Sequence, residues 1–236
     1  MLPLIALVVL AANPTSDYNR GNQLYARKDY GAAALAYQEA LKAGPSAAVH
    51  FNLGNALFKS GRIGPAIVHY RRARYLAPRD ADVATNLNFA RAYRVDKTPE
   101  AQSPLARAVD DALHRLSRRE AGLLAPLCFA LGGAFVAAWI VRRWVGLLVL
   151  ASVCGLATLY GFLAQQTWAS EFAAGPAVVV VPEVNALSGP SEEFQQVLLL
   201  HDGTEVRIRE ARGDYLLVQL AGGGGWVPKG AVERVY

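Results

Sequence analysis

Charge is scarce in this chain. Only 18% of its 236 residues are Asp, Glu, Lys or Arg, against about 25% in soluble domains, so part of the molecule is built for something other than water. Cysteine is nearly absent. Cys128 and Cys154 are the only two, and both fall in long apolar runs, where a thiol behaves as a small apolar group. The four histidines, His50, His69, His114 and His201, are scattered, and no pair has metal-ligand spacing, so a zinc or thiol site is not expected. The glycine run Gly222–Gly225 lacks the lysine and following helix of a phosphate loop and reads as a flexible turn. Asp110-Asp111 reads as a solvated helix face rather than a catalytic dyad. A non-enzyme without metal or cofactor is expected, and no nucleic-acid partner.

What the chain does have is apolar length. From Leu123 to Leu163 the only charged residues are Arg142 and Arg143. Leu123–Val141 supplies 19 residues before them and Trp144–Leu163 supplies 20 after them. A bilayer core about 30 Å thick needs about 20 helical residues, so each run can cross alone. As one helix the segment would be about 60 Å long, with two guanidinium groups near its centre at a cost of several kcal/mol each. A two-span hairpin turning at Arg142-Arg143 is therefore expected over 121–168. Trp139, Trp144 and Trp168 then stand near span ends, where an indole has apolar contact and water for its N–H.

A hairpin puts both termini on one side of the membrane. The turn carries Arg142 and Arg143 while the terminal side carries Arg115, Arg118 and Arg119, which leaves the positive-inside count undecided. The opening "MLPLIALVVLAANPTSD" has an apolar run from Leu2 to Ala12, too short to span and followed by turn formers. It resembles a secretory signal over residues 1–12, although it lacks basic residues before the apolar core. That reading places the two terminal domains on the periplasmic side of a bacterial inner membrane. The alternative is a mis-assigned start or a cytoplasmic amino terminus.

An internal repeat occupies residues 13–95. Tyr18–Pro45 aligns with Phe51–Pro78 at an offset of 33: Gly21 matches Gly54, Ala33 matches Ala66, Tyr37 matches Tyr70, Ala40 matches Ala73 and Pro45 matches Pro78. Small residues let paired helices approach, an aromatic fills the gap, and proline ends the second helix. The pattern resembles the tetratricopeptide repeat, whose period is about 34 residues. Ala81–Tyr93 reads as a capping helix, with Asn86 and Leu87 in the places of Asn52 and Leu53. In such arrays the first helix of each repeat lines a concave groove, so the resemblance puts Asn22, Tyr25 and Ala26, then Asn55, Phe58 and Lys59, on that face. The asparagines can hold a peptide backbone and Lys59 a carboxylate; alternatively the asparagines belong to the repeat's own framework. As free groove groups, Asn55 and Lys59 should contribute only a few tenths of a kcal/mol to stability.

Residues 96–120 read as a linker followed by an amphipathic helix. Ser103-Pro104 opens it, with Leu105, Val109, Ala112, Leu113 and Leu116 on one face and Arg107, Asp110, Asp111 and Arg115 on the other. It suits either the bilayer surface or packing on the repeats. Ser117 and Glu120 form a capping-box pattern before the first span.

Residues 176–236 are rich in β-formers. Five strands are expected, at Val178–Val181, Val197–Leu200, Glu205–Arg209, Tyr215–Gln219 and Gly225–Val227, separated by turn signals such as Asp202-Gly203 and Arg212-Gly213-Asp214. The phrases "VNALSGPS", "LHDGTEVRI", "GDYLLVQL" and "GWVP" resemble a bacterial SH3-like barrel. Tyr215 and Trp226 are its candidate surface aromatics; a tryptophan beside Gly225 is otherwise a core residue, and so few aromatics argue against reading proline-rich peptides.

The expected whole is a multidomain membrane protein: α-helical repeats, a transmembrane hairpin and a small all-β barrel. With the phrases "NLGNALFKSG", "APRDADVATNLNFAR" and "LHRLSRRE", that order resembles the BatE-type proteins of the Bacteroides aerotolerance operons. The resemblance implies a non-catalytic scaffold working beside Bat-type von Willebrand A proteins and a MoxR-type ATPase. An envelope anchor whose barrel binds peptidoglycan is the alternative.

Overall fold

The computed structural model describes residues 14–97 and 103–236. The expected leader at 1–12 and Pro99 of the expected linker lie outside them. Five helices come first: α1 (Pro14–Ala26), α2 (Tyr30–Leu41), α3 (Ala47–Lys59), α4 (Ile63–Leu76) and α5 (Ala81–Ala92). Three of them begin where a short polar side chain caps the first turn. Asp29 accepts from the Ala32 amide, Ser46 from Val49, and Asp80 from Asp82 and Val83, satisfying donors that have no partner within the helix. The repeat offset then becomes a packing rule. A Cβ at Gly21 would stand 2.5 Å from the Tyr37 ring, and one at Gly54 would stand 2.7 Å from the Tyr70 ring. Glycine at these two positions lets each aromatic lie flush against its partner helix. Leu53, Ala56, Leu57, Ala66, Ile67 and Tyr70 form the buried centre, and Val178 and Val235 from the far end of the chain join it.

Helix α6 (Pro104–Leu113) starts at the expected Ser103 cap. Helices α7 (Arg118–Arg142) and α8 (Val145–Ala173) form an antiparallel hairpin. The reciprocal bonds of the capping box are present at Ser117 and Glu120. The chain turns at Arg143, whose φ of 54° is left-handed. Both helices, of 25 and 29 residues, are long and apolar enough to cross a membrane. Phe129 is 74% exposed and Val141 78%, an apolar surface that water does not favour. Gly132 faces Cys154 and Gly161 faces Ala125 closely enough to draw the two helices together. The last turns of α8 run beyond the apolar stretch, so Trp168, Glu171 and Phe172 emerge toward the repeats.

Seven strands follow rather than five: β1 (Pro176–Val179), β2 (Glu183–Leu187), β3 (Gln196–His201), β4 (Glu205–Arg212), β5 (Tyr215–Leu220), β6 (Gly223–Pro228) and β7 (Val232–Arg234). The unanticipated pair are β2, whose "EVNAL" is interrupted by asparagine, and β7, only three residues long. All pairings are antiparallel, in the order β3-β2-β6-β5-β4-β1-β7. The end strands β3 and β7 do not pair, so the sheet is open and not closed into the expected barrel. Short β7 pairs with β1, and the carbonyls of Arg234 and Val235 beside it accept from Arg72 of α4.

Candidate partner-binding site

Helices α1, α3 and α5 lie side by side and form one face of the repeat array. An asparagine ladder crosses it. The Tyr37 hydroxyl donates to Asn22 Oδ1 at 2.8 Å, and the Tyr70 hydroxyl to Asn55 Oδ1 at 2.8 Å. Burial pushes the Tyr37 phenol up to about 12 and raises that of Tyr70, so both remain O–H donors. Each Oδ1 also accepts from the next first helix: Asn52 Nδ2 reaches Asn22 at 3.3 Å and Tyr18 Oη at 3.0 Å, while Asn86 Nδ2 reaches Asn55 at 2.8 Å. The oxygens of Asn22 and Asn55 are thus part of the framework. Their Nδ2 groups have no bond among the described residues, so the ladder presents donors.

The other anticipated residues lie around this ladder. Tyr25 is half-buried, edge-on to Tyr30 at 5.2 Å, and Ala26 is exposed. Phe58 packs at 5.5 Å from Phe89 and at 5.2 Å from Tyr93, and those two rings lie 5.1 Å apart. Phe89 and Tyr93 are both more than half exposed and were missed in the sequence. Lys59 is exposed at the end of α3 and has no ion pair among the described residues. The combination of free amide donors, one cation and an aromatic cluster can hold carbonyl or carboxylate oxygens beside an apolar side chain.

The opposite side of the array is closed by the sheet and α8. Arg72 donates to the Val235 carbonyl at 2.9 Å, to the Arg234 carbonyl at 2.7 Å and to Glu233 at 2.8 Å. Glu205 on β4 receives Arg71 at 3.2 Å, Arg91 at 2.7 Å and Arg94 at 2.9 Å. Burial would raise its carboxyl, but the Arg91 hydrogen bond and the three guanidinium charges hold it below the ordinary carboxylate range. Arg71 also meets Glu171 of α8 at 2.6 Å. Asp96 accepts from the His201 amide and ring, each at 2.9 Å, and from the Thr204 hydroxyl at 2.6 Å. The Gly64 amide donates to Asp202 at 3.0 Å, and a Cβ on Gly64 would overlap both that carboxylate and the Val179 carbonyl. Glycine there allows α4 to seat on β1.

His50 and His69 meet at Nδ1–Nδ1 3.0 Å, His114 stands edge-on to Trp168 at 4.6 Å, and among the described residues no group of three metal-ligating side chains occurs. Of the two sheet aromatics, Trp226 is only 8% exposed, with the Arg212 guanidinium 5.5 Å above its ring. Tyr215, half-buried, sits opposite Pro228. The sheet thus does not bring these two into an open aromatic groove.

Residues 47–80, which are α3, α4 and the turn after them, match the tetratricopeptide repeat family. A search of curated proteins finds no match to the chain. The match covers one repeat, and the equivalence of Gly21 with Gly54, Tyr37 with Tyr70 and Asn22 with Asn55 extends the same structural rule to α1 and α2. Repeats of this kind point to protein partners in general.

Proposed function

We propose that the chain is a membrane-anchored, non-catalytic scaffold that recruits a partner protein through the groove of its helical repeats. One observation carries this reading: the face bearing Asn22, Asn55, Phe58 and Lys59 stays open with unused donors, while the opposite side is bonded to the sheet and α8. The ligand that fits is an extended acidic or carboxylate-ended segment with an apolar side chain. Its oxygens accept from the Asn22 and Asn55 amides and from Lys59, and its apolar group packs on Phe58, Phe89 and Tyr93. Tyr25 borders the same groove.

The resemblance to BatE-type proteins supports a place within an aerotolerance-type envelope complex, with the Bat-type von Willebrand A proteins and the MoxR-type ATPase system as candidate partners. In that setting residues 1–12 act as a signal peptide, the hairpin sits in the inner membrane, and the repeats and the SH3-like sheet domain face the periplasm. The sheet works mainly as a brace for the repeats; a cell-wall anchor would instead use it to hold peptidoglycan. Full-length protein carrying Asn55→Asp and Lys59→Ala, isolated from native membranes beside the parent, tests the groove. Asn55→Asp keeps the oxygen that Tyr70 and Asn86 require and replaces the outward donor. Loss of the co-purified protein partner is expected. Undiminished recovery, or recovery of peptidoglycan fragments in its place, defeats the scaffold reading.

A further inference from the structure

A second polar feature lies between the repeats, the sheet and α8, away from the groove. It is a cleft of about 960 Å³ whose wall includes Arg71, Arg74, Arg91, Arg94, Arg207 and Arg209. Three carboxylates, Asp110, Glu171 and Glu205, stand against these six arginines. Several of the charges are already spent. Arg71, Arg91 and Arg94 share Glu205, Glu171 serves Arg71 and His114, Asp110 accepts from His114, and Arg74 reaches only the exposed Asp111 at 3.4 Å. That leaves β4. Glu205, Arg207 and Arg209 of β4 all line the cleft, with Arg209 at the point where the register with β5 shifts. Arg209 is bonded to neutral Gln219 at 2.7 Å, and Arg207 has no carboxylate partner among the described residues. Both side chains are exposed at the rim of the cleft, so an anion there gains two guanidinium partners without displacing an existing ion pair.

The position of the cleft along α8 points to one class of anion. Its floor includes Thr167, Trp168, Ser170 and Glu171 of α8. The apolar stretch ends at Leu163, and at 1.5 Å per residue these positions begin about 6 Å beyond it. The end of helix α6 is tied to the same level because His114, the residue that caps it, meets Glu171 of α8 at 3.2 Å. Its Leu105 is 75% exposed and its Val109 51%. With the hairpin across a bilayer, the reading proposed above on which this inference rests, headgroups occupy several ångströms on each side of the hydrocarbon and the floor of the cleft lies at headgroup depth. Arginine forks match phosphate oxygens. We infer that this cleft is a phosphate-binding site that takes the headgroup of an anionic phospholipid, held by Arg207 and Arg209.

The full chain in neutral detergent micelles tests this, titrated with short-chain phosphatidylglycerol, with phosphatidylcholine and with inorganic phosphate while thermal unfolding is followed. A ligand bound by the folded state raises the melting temperature in a saturable way. Phosphatidylglycerol is expected to do so. In Arg207→Gln/Arg209→Gln the half-saturating concentration should rise tenfold or more, since a charged hydrogen bond lost is worth about that factor. Both side chains are exposed on β4, so the unliganded melt should not change. A charge-matched control, Arg20→Gln/Arg27→Gln on the distant α1 and the turn after it, should titrate like the parent. Equal stabilisation by phosphatidylcholine, an unchanged titration in the β4 variant, or an equal loss in the control overturns the site. If inorganic phosphate alone reproduces the whole effect at the same concentration, the lipid assignment is overturned.

Discussion

The two sides of the helical array are made from the same repeats, yet they treat polar groups in opposite ways. On the sheet side, Arg71, Arg72, Arg91 and Arg94 each end on a carboxylate or carbonyl from another element. On the groove side, the Asn22 and Asn55 amides and the Lys59 ammonium end in solvent. Desolvated polar groups are costly unless paired, and solvated ones are not. The completed side is therefore a joint that holds the molecule together. The side with spare donors is where a ligand adds bonds without breaking any.

The hardest way to break this contrast is to remove the charge on which the joint converges. Glu205→Gln leaves Arg71, Arg91 and Arg94 around a neutral amide, and breaking a buried charge cluster from one side costs about 3–5 kcal/mol. The full chain should melt at a markedly lower temperature, with amides of α4 and β1 losing hydrogen-exchange protection together. A variant as stable as the parent would mean that the three arginines are satisfied by water and that the joint is far weaker than its geometry implies.

Acid should come next in size. His50 and His69 share a short Nδ1–Nδ1 bond that needs one ring to donate and the other to accept, so the two cannot both be protonated. Burial, then the charge of Arg72, brings His50 down to about 4, and the same causes with His50 bring His69 to about 3. Both lie below the ordinary value of 6.5, so the unfolded chain takes up these protons first. The stability present at neutral pH is lost as pH falls from about 6.5 toward 4, by an amount on the order of a few kcal/mol. His114 works the other way: although burial opposes it, Glu171 and Asp110 raise its value, and its contribution is lost as pH rises. A melting temperature flat from pH 7 to pH 4.5 in the parent would remove the His50–His69 pair from this account.

Two glycines sharpen the comparison at smaller cost. Gly64→Ala places a methyl against the Val179 carbonyl and Asp202, and Gly54→Ala places one against the Tyr70 ring. Each should destabilise by about 1–3 kcal/mol through overpacking, but in different places. The first should expose the Gly203 amide, which donates to Val179, while leaving partner binding intact. The second should move Tyr70 off Asn55 and weaken binding. Identical exchange patterns in the two variants would show that the joint and groove are one cooperative unit.

Local signals made much of this legible. The 33-residue offset, the Ser117–Glu120 capping box and the Arg142-Arg143 turn all involve neighbours or strict periodicity, which the chain displays in order. The joint offers no such signal. Glu205 sits in "GTEVRIRE" as an ordinary outward-facing strand residue, and its partners lie 134, 114 and 111 positions away. Strands β2 and β7 escaped notice because one contains asparagine and the other has three residues, too few to show alternation. Asn86 was visible as a counterpart of Asn52, but that their amides bond the preceding asparagine requires knowing how the first helices stack. The expected freedom of Asn55 is corrected for the same reason: its oxygen holds Tyr70 and Asn86, so Asn55→Ala should cost about 1–3 kcal/mol by stranding a buried hydroxyl, not a few tenths.

Lys59→Ala is the smallest perturbation and the most discriminating. The side chain is exposed, ends α3 and has no ion pair among the described residues, so its removal should change stability by no more than a few tenths of a kcal/mol, chiefly through the loss of a cation at a helix C-terminus. In a complex with a carboxylate it makes a charge-assisted bond, and leaving that carboxylate unpaired should weaken binding about tenfold. Affinity and stability thus separate at this residue, whereas at Glu205 a loss of binding would accompany a loss of fold. Calorimetry with the co-purified partner and a melt of the same sample read both quantities. Raising the salt should shrink the difference between parent and variant, because exposed charges are screened within about 10 Å at 0.1 M. If Lys59→Ala binds as tightly as the parent at low salt, the ligand brings no negative charge to this end of the groove, and recognition rests on the asparagine amides and the Phe58, Phe89 and Tyr93 cluster alone.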